Sequence, residues 1–143
     1  MIEIRELKPN QYAEIVSVWV DAGLPFRPKG RDSPEELSKQ MIKNPDLFIG
    51  AFCDERLVGV CIGTEDGRKG WINRIAVRRN YQRQGIAKKM VVEMERRLKA
   101  RGLRIICVLI EDWNVASLEF FQKMGYILHK DIYYLSKRDS EEV

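Results

Sequence analysis

The longest regular pattern in the chain is helical. Ala87, Met90, Val91, Met94 and Leu98 recur at spacings of three and four and make one apolar face. Lys88, Lys89, Glu93, Arg96 and Arg97 lie largely off it, and Glu93 stands four residues before Arg97, a favourable pair on a helix surface. Gly102, after Lys99 and Arg101, marks the expected stop. The run Trp71–Val77, with Ile72, Ile75 and Val77, predicts a strand entering this region. Between strand and helix lies a basic loop that ends at Gly85. Amides at the start of a helix have no partner inside it, and the helix dipole adds partial positive charge there. A glycine at that point lets a ligand oxygen approach closely, so the junction is a candidate cradle for phosphate.

The remaining patterns supply the frame. Met1–Leu7 alternates and predicts a strand. Pro9 and Asn10 open a helix with Tyr12, Ile15, Val16 and Trp19 on one face and Gly23 as its stop. The loop Leu24–Arg31 holds two prolines, Phe26 and three cations, a candidate wall for a binding site. Ser33-Pro34-Glu35-Glu36 is a capping box before a second helix with Leu37 and Met41 inward, ending by Asn44-Pro45. Leu47–Cys53 and Leu57–Thr64 predict a hairpin around Asp54-Glu55-Arg56, and Glu65–Gly70 turns the chain into the Trp71 strand. Ile105–Ile110 is apolar without alternation, which predicts a central strand buried on both faces. Asn114 is a natural N-cap for a short helix over Ala116–Met124, closed by Gly125. Tyr126–Leu128 and Ile132–Leu135 predict a closing hairpin across His129-Lys130-Asp131.

Length and composition narrow the class. At 143 residues, 45% hydrophobic and 32% charged, the chain is expected to form one domain over residues 1–137, with a charged, frayed tail at 138–143. A net charge of +4 suits an anionic ligand, but there is no dense basic stripe of the kind nucleic acid calls for. Cys53, Cys61 and Cys107 sit in apolar runs without metal-like spacing and are expected to be buried free thiols. With His129 as the one histidine, a histidine-based metal site or triad has little material. No apolar run approaches a membrane span and no signal-peptide pattern is present, so a cytoplasmic protein is expected.

Two segments carry a family resemblance. Gln82-Arg83-Gln84-Gly85-Ile86-Ala87 resembles the acetyl-CoA loop of the GNAT N-acetyltransferases, in the order that family uses, after a strand and opening a long helix. Asn114, Ser117, Phe120, Phe121, Lys123, Gly125 and Tyr126 resemble a second block of the same family. The resemblance is strongest from Trp71 to Tyr126. It implies an α/β fold: a mixed, mostly antiparallel twisted sheet of about six to seven strands, splayed near the coenzyme, with about four helices on both faces. It implies acetyl-CoA as cosubstrate, an acceptor amine on a small molecule or a protein, and direct transfer in a ternary complex. It allows a homodimer and points to neither nucleic acid nor membrane as a partner.

The resemblance also assigns residues. Gln82, Arg83, Gln84, Gly85, Ile86, Ala87 and Lys88 would hold the pyrophosphate. Ile75, Ala76 and Val77 would pair with the pantetheine arm, an amide near Val77 would polarise the thioester carbonyl, and Asn114 and Phe121 would lie along the arm. The catalytic positions do not carry over. The family often has a tyrosine where this chain has Phe121, and an acidic base where it has Trp71, Asn73 or Leu109. Tyr126 and Tyr133, with Tyr134, remain as candidate acids, and Glu111, with Glu65, as a base through water. Those departures keep a second reading open, an acyl-CoA-binding regulatory module with little turnover.

Overall fold

A computed structural model describes residues 1–143. Its strands are β1 (Ile2–Glu6), β2 (Phe48–Cys53), β3 (Arg56–Glu65), β4 (Gly70–Val77) and β5 (Ile106–Val108). Its helices are α1 (Tyr12–Ala22), α2 (Pro34–Lys43), α3 (Ile86–Ala100) and α4 (Val115–Lys123). Strand order follows the chain, β1-β2-β3-β4-β5, with antiparallel pairs up to β4 and a parallel β4–β5 pair. The long helix α3 lies between the parallel strands, as a crossover connection requires.

Both faces of the sheet are covered. A Cβ built on Gly59 would meet Met90 and one on Gly63 would meet Met94, so that face of β3 packs against α3. Val60 and Ile62 alternate to the other face, where Arg74, opposite Ile62, lies over Trp19 of α1. Ile15, Val18, Trp19, Met90, Met94 and Leu98 are completely enclosed. Each such side chain contributes about 1.5–3 kcal/mol by leaving water. The N-caps match their sequence signals: Ser33 Oγ accepts from the Glu36 amide at 3.2 Å, and Asn114 Oδ1 accepts from the Ser117 amide at 3.2 Å. The capping box at Ser33 is half formed, because the Ser33 amide donates to Gly30 O at 3.1 Å and not to Glu36. Glu93 and Arg97 pair at 2.7 Å.

Four expectations are corrected. The sheet has five strands rather than six to seven. Tyr126–Leu128 and Ile132–Leu135 form no strands, and no backbone group from Ile127 to Val143 bonds another backbone group. Their alternating pattern favours a strand, but a strand exists only where a neighbour supplies the ladder. As a consequence β5 is an edge, three residues long and half-buried, not a central strand; Ile105 and Leu109 on its flanks are exposed. Of the cysteines, Cys61 is buried, while Cys53 and Cys107 are half-buried.

A β-bulge opens one side of the sheet. Ile62 stands opposite Arg74 and Gly63 opposite Ile72, which leaves Asn73 as an extra residue in β4. The β5 ladder covers Gly70–Ile72 and ends at this bulge. Beyond it the β5-facing edge of β4, from Asn73 to Val77, has no strand beside it, and the sheet is splayed there.

Candidate active site

The open edge of β4 leads directly into the loop before α3. The Arg78 amide donates to Val58 O of β3 at 2.8 Å, so by strand alternation the polar groups of Ala76 and Arg74 point the same way. Those of Val77 and Ile75 point to the open side. Gln82 Nε2 donates to the Val77 carbonyl at 2.9 Å, tying the loop to the end of the strand. Arg83 then adopts φ +64° and Gly85 φ +80°, two left-handed residues on either side of Gln84. This alternation turns successive N–H groups toward one point, a nest for an anion.

The outcome is a run of free donors. No acceptor in the protein takes the amides of Arg83, Gln84, Gly85, Ile86, Ala87 or Lys88; the first bond of the helix is Lys89 N to Gly85 O at 3.1 Å. A Cβ built on Gly85 would have nothing within 4 Å, so the space over these amides is open. The first turn of α3 has no acidic residue, and Lys88 and Arg83 are exposed beside it. Lys89 is occupied, donating to Ile2 O at 2.8 Å. Dipole, cations and free amides therefore act with one sign.

A cavity of about 650 Å³ joins this nest to the open strand edge. It brings together Ile75, Ala76 and Val77 from β4 with Gln82, Arg83, Gly85, Ile86, Ala87 and Lys88 from the loop and helix. Phe121 of α4 lines it too. Gln84 and Asn114 stand outside its wall: Gln84 reaches back to Asn80 O at 3.4 Å, and Asn114 caps α4. Tyr81, Ala116, Ser117 and Phe120 also line it. Ser117 and Phe120 belong to the second resemblance block, but nothing in their spacing says that α4 closes the cavity.

The acid and base candidates are scattered. Tyr126 stacks edge-on against Phe121, ring centroids 5.1 Å apart, and its hydroxyl donates to Glu95 Oε2 of α3 at 2.6 Å. Burial first, then Glu95, pushes its phenol well above the usual range, so it stays protonated at neutral pH. Tyr133 and Glu111 are exposed and line neither this cavity nor a second one beside Arg74. Glu65 accepts from the Gly67 amide at 2.8 Å and pairs with Arg101 at 3.5 Å. Asn73 donates to Thr64 Oγ1 at 2.6 Å. No carboxylate lines the cavity between the nest and β4.

The second cavity, also of about 650 Å³, lies against the α1 face of β4, just past the bulge. Arg74, Asn73, Thr64 and Ile62 form its floor, Arg31 and Asp32 one wall, and Tyr134 with Ser136–Asp139 another. Arg74 and Asp32 are the residues that sequence reading missed. Asp32, Trp19 and Arg74 are far apart in the chain, and no local pattern links them.

Together the fold and the site define a class: an α/β protein whose splayed parallel pair leads into an anion nest at the head of a helix. Residues 15–126 match the acetyltransferase (GNAT) family model, and the chain belongs to that family. It is similar over nearly its whole length to acetyltransferase SG1711 of Sodalis glossinidius, 28% identical over 141 residues, covering 99% of this chain and 98% of that one. Acetyltransferase plu1384 of Photorhabdus laumondii is 28% identical over 138 residues, 96% and 95% of the two chains. Among solved structures, PaiA N-acetyltransferase from Thermoplasma acidophilum, in complex with coenzyme A, superposes with a TM-score of 0.80 at 23% identity, covering 90% of this chain and 91% of that one. The aminoglycoside enzyme AAC(6')-Iy, bound to a bisubstrate analogue, gives 0.78 at 14% identity over 96% and 99%. The activity is acetyl-CoA-dependent N-acetyl transfer. No helix is long and apolar enough to cross a membrane.

Proposed function

We propose that the protein carries an acetyl group from acetyl-CoA directly to an acceptor amine, with both substrates bound at once, and that the residues between β4 and α3 decide where the thioester lies. One observation carries this: Arg83, Gly85, Ile86, Ala87 and Lys88, whose amides have no acceptor in the protein, line the cavity that continues along β4. They suit a diphosphate, with the Arg83 and Lys88 side chains adding charge. Ile75, Ala76 and Val77 suit the pantetheine arm, whose amides are the right partners for an unpaired strand edge. Acetyl-CoA supplies the activated acyl group, which passes to the acceptor nitrogen as the C–S bond breaks. The Val77 amide, on the open side, is the donor for the carbonyl oxygen that gains charge. Phe121 closes the cavity over the arm, and Asn114 holds α4 in position through its cap.

With no carboxylate in this cavity and Tyr126 committed to Glu95, catalysis rests on positioning, with water removing the amine proton. Calorimetry with acetyl-CoA, followed by a thiol-release assay over a panel of amines, tests the reading. Micromolar binding and release with at least one amine are expected; binding without release for any amine would favour a non-catalytic module. We assign residues 1–137 to one acetyltransferase domain working in the cytoplasm. The exposed Ile127, Ile132, Tyr133 and Leu135, on a segment without backbone partners, support a homodimer in which this segment meets the edge of a second copy.

A further inference from the structure

The cavity on the α1 face of β4 is unlike a site built for a simple cationic amine. Arg74 projects from β4 with its guanidinium carbon 4.7 Å above the Trp19 ring. Its Nη2 donates to Pro25 O at 2.6 Å, and that is the one acceptor it has; Asp32 Oδ2 is 3.7 Å away, too far for a hydrogen bond. A guanidinium carries five N–H donors, so four remain without an acceptor in the protein, among them the fully buried Nε. Asp32 does not fill this need. Its side chain is enclosed, and the same Oδ2 accepts the Arg27 amide at 2.7 Å, holding the Leu24–Arg31 loop. Burial disfavours the Arg74 cation and Asp32 only partly restores it. Around it Arg31, Lys137 and Arg138 add positive charge, against Asp32 and Asp139. A planar fork held by stacking and by one carbonyl, with donors on Nη1 and Nη2 still without an acceptor, is the arrangement that takes an oxyanion on two points.

Its place in the fold connects it to the chemistry. Arg74 immediately precedes Ile75, and Val77 lies three residues on, about 10 Å along a strand. One small molecule can therefore span from the Arg74 guanidinium to the open edge of β4. The geometry points to an acceptor that carries, beside its reacting amine, an anionic oxyacid group (carboxylate or phosphate) bound by Arg74 with help from Arg31. This inference rests on the acetyl-transfer reading and names the acceptor class for it. The same cations help the reaction in a second way, since positive charge near the acceptor nitrogen favours its neutral, nucleophilic form.

The test is a matched panel. With acetyl-CoA saturating, L-lysine is compared with L-lysine amide and with cadaverine, and O-phosphoethanolamine with ethanolamine. The anionic member of at least one set is expected to have a kcat/KM at least about tenfold higher, the scale of one charge-assisted contact. Whichever set shows the preference tells carboxylate from phosphate. Arg74→Gln is expected to reduce that ratio to within about threefold, a readout that partial misfolding does not move because both substrates meet the same enzyme. Arg31→Gln, at an exposed position, is expected to raise KM for the anionic acceptor more than for its neutral partner. Equal or better use of the neutral amines by the wild type, or a ratio that survives Arg74→Gln, would overturn the inference and leave acetyl transfer standing. If acetyl-CoA binds and no amine reacts, calorimetry of the coenzyme-loaded protein with L-lysine and O-phosphoethanolamine decides: heat lost in Arg74→Gln supports the inference, and no heat overturns it. Failure to bind acetyl-CoA at all would sink the acetyl-transfer reading, and the inference with it.

Discussion

Gly85→Val puts the phosphate nest to a quantitative test. At φ +80° any L residue is strained, by about 1–2 kcal/mol, and a β-branched one falls at the upper end. The new side chain meets nothing in the free protein, since no atom lies within 4 Å of the built Cβ. Stability should therefore fall by the strain alone, about 3–6 °C in Tm for a domain of this size. The bound state suffers more. The valine methyls sit over the amides that flank position 85, and loss of two charge-assisted bonds costs about 3 kcal/mol or more. That corresponds to at least about a hundredfold weaker binding. Gly102→Val is the matched control: its φ is +89°, its built Cβ likewise meets nothing, and it lies at the far end of α3. Both variants should lose similar Tm by calorimetric melting. In titrations with acetyl-CoA, Gly85→Val alone should lose affinity. A change below threefold, or an equal loss in both variants, would refute the claim that the helix-head amides hold the phosphates.

Phe121→Tyr should raise kcat at least tenfold while leaving coenzyme affinity within about twofold, because Phe121 lines the same cavity and a hydroxyl there can return a proton to the leaving thiolate; unchanged kcat in steady-state assays would count against a vacant acid position. Glu93 makes a pH prediction. Arg96 above all, with Arg97, holds its carboxyl at about 2, below the ordinary value of 4.5, so the folded state favours the ionised form. Its contribution is present above pH about 4.5 and fades as pH falls toward 2. The difference in urea midpoint between the wild type and Glu93→Gln should accordingly shrink between pH 5 and 2; a difference that grows on acidification would contradict the sign. Finally, Ile132→Lys at an exposed position would change a monomer's stability by less than about 0.5 kcal/mol. If that segment pairs two copies, the same substitution should shift the light-scattering mass from dimer to monomer. A wild type that is monomeric at micromolar concentration would dispose of the pairing.

Elements whose signals are local were legible in the chain. The apolar stripe of α3, the caps Ser33 and Asn114, the stop at Gly102 and the junction at Gly85 each depend on residues within a turn or two of one another. The loop–strand cavity was legible for the same reason, since Ile75 to Lys88 are contiguous. Pairing was harder to read. Ile105–Ile110 and Ile127–Leu135 have strand-like composition, but whether such a run is central, edge or unpaired depends on what lies beside it. The bulge at Asn73 left no mark because an extra residue is defined only by the register of two strands.

Read along the chain alone, the residues place a basic, glycine-ended loop at the head of a long amphipathic helix after a β-branched strand, and with it a run of amides free to meet an anion. The reason is that helix periodicity, capping and free amides are properties of neighbouring residues. That β5 stops at the bulge, so that β4 offers an open edge in line with the nest, emerges only once the strands pair. Tertiary contacts alone set Arg74 on Trp19, with Asp32 too far to satisfy its donors. Those arrangements depend on register and on contacts that Arg74 makes with residues about 42 to 55 positions away, and no local pattern encodes them.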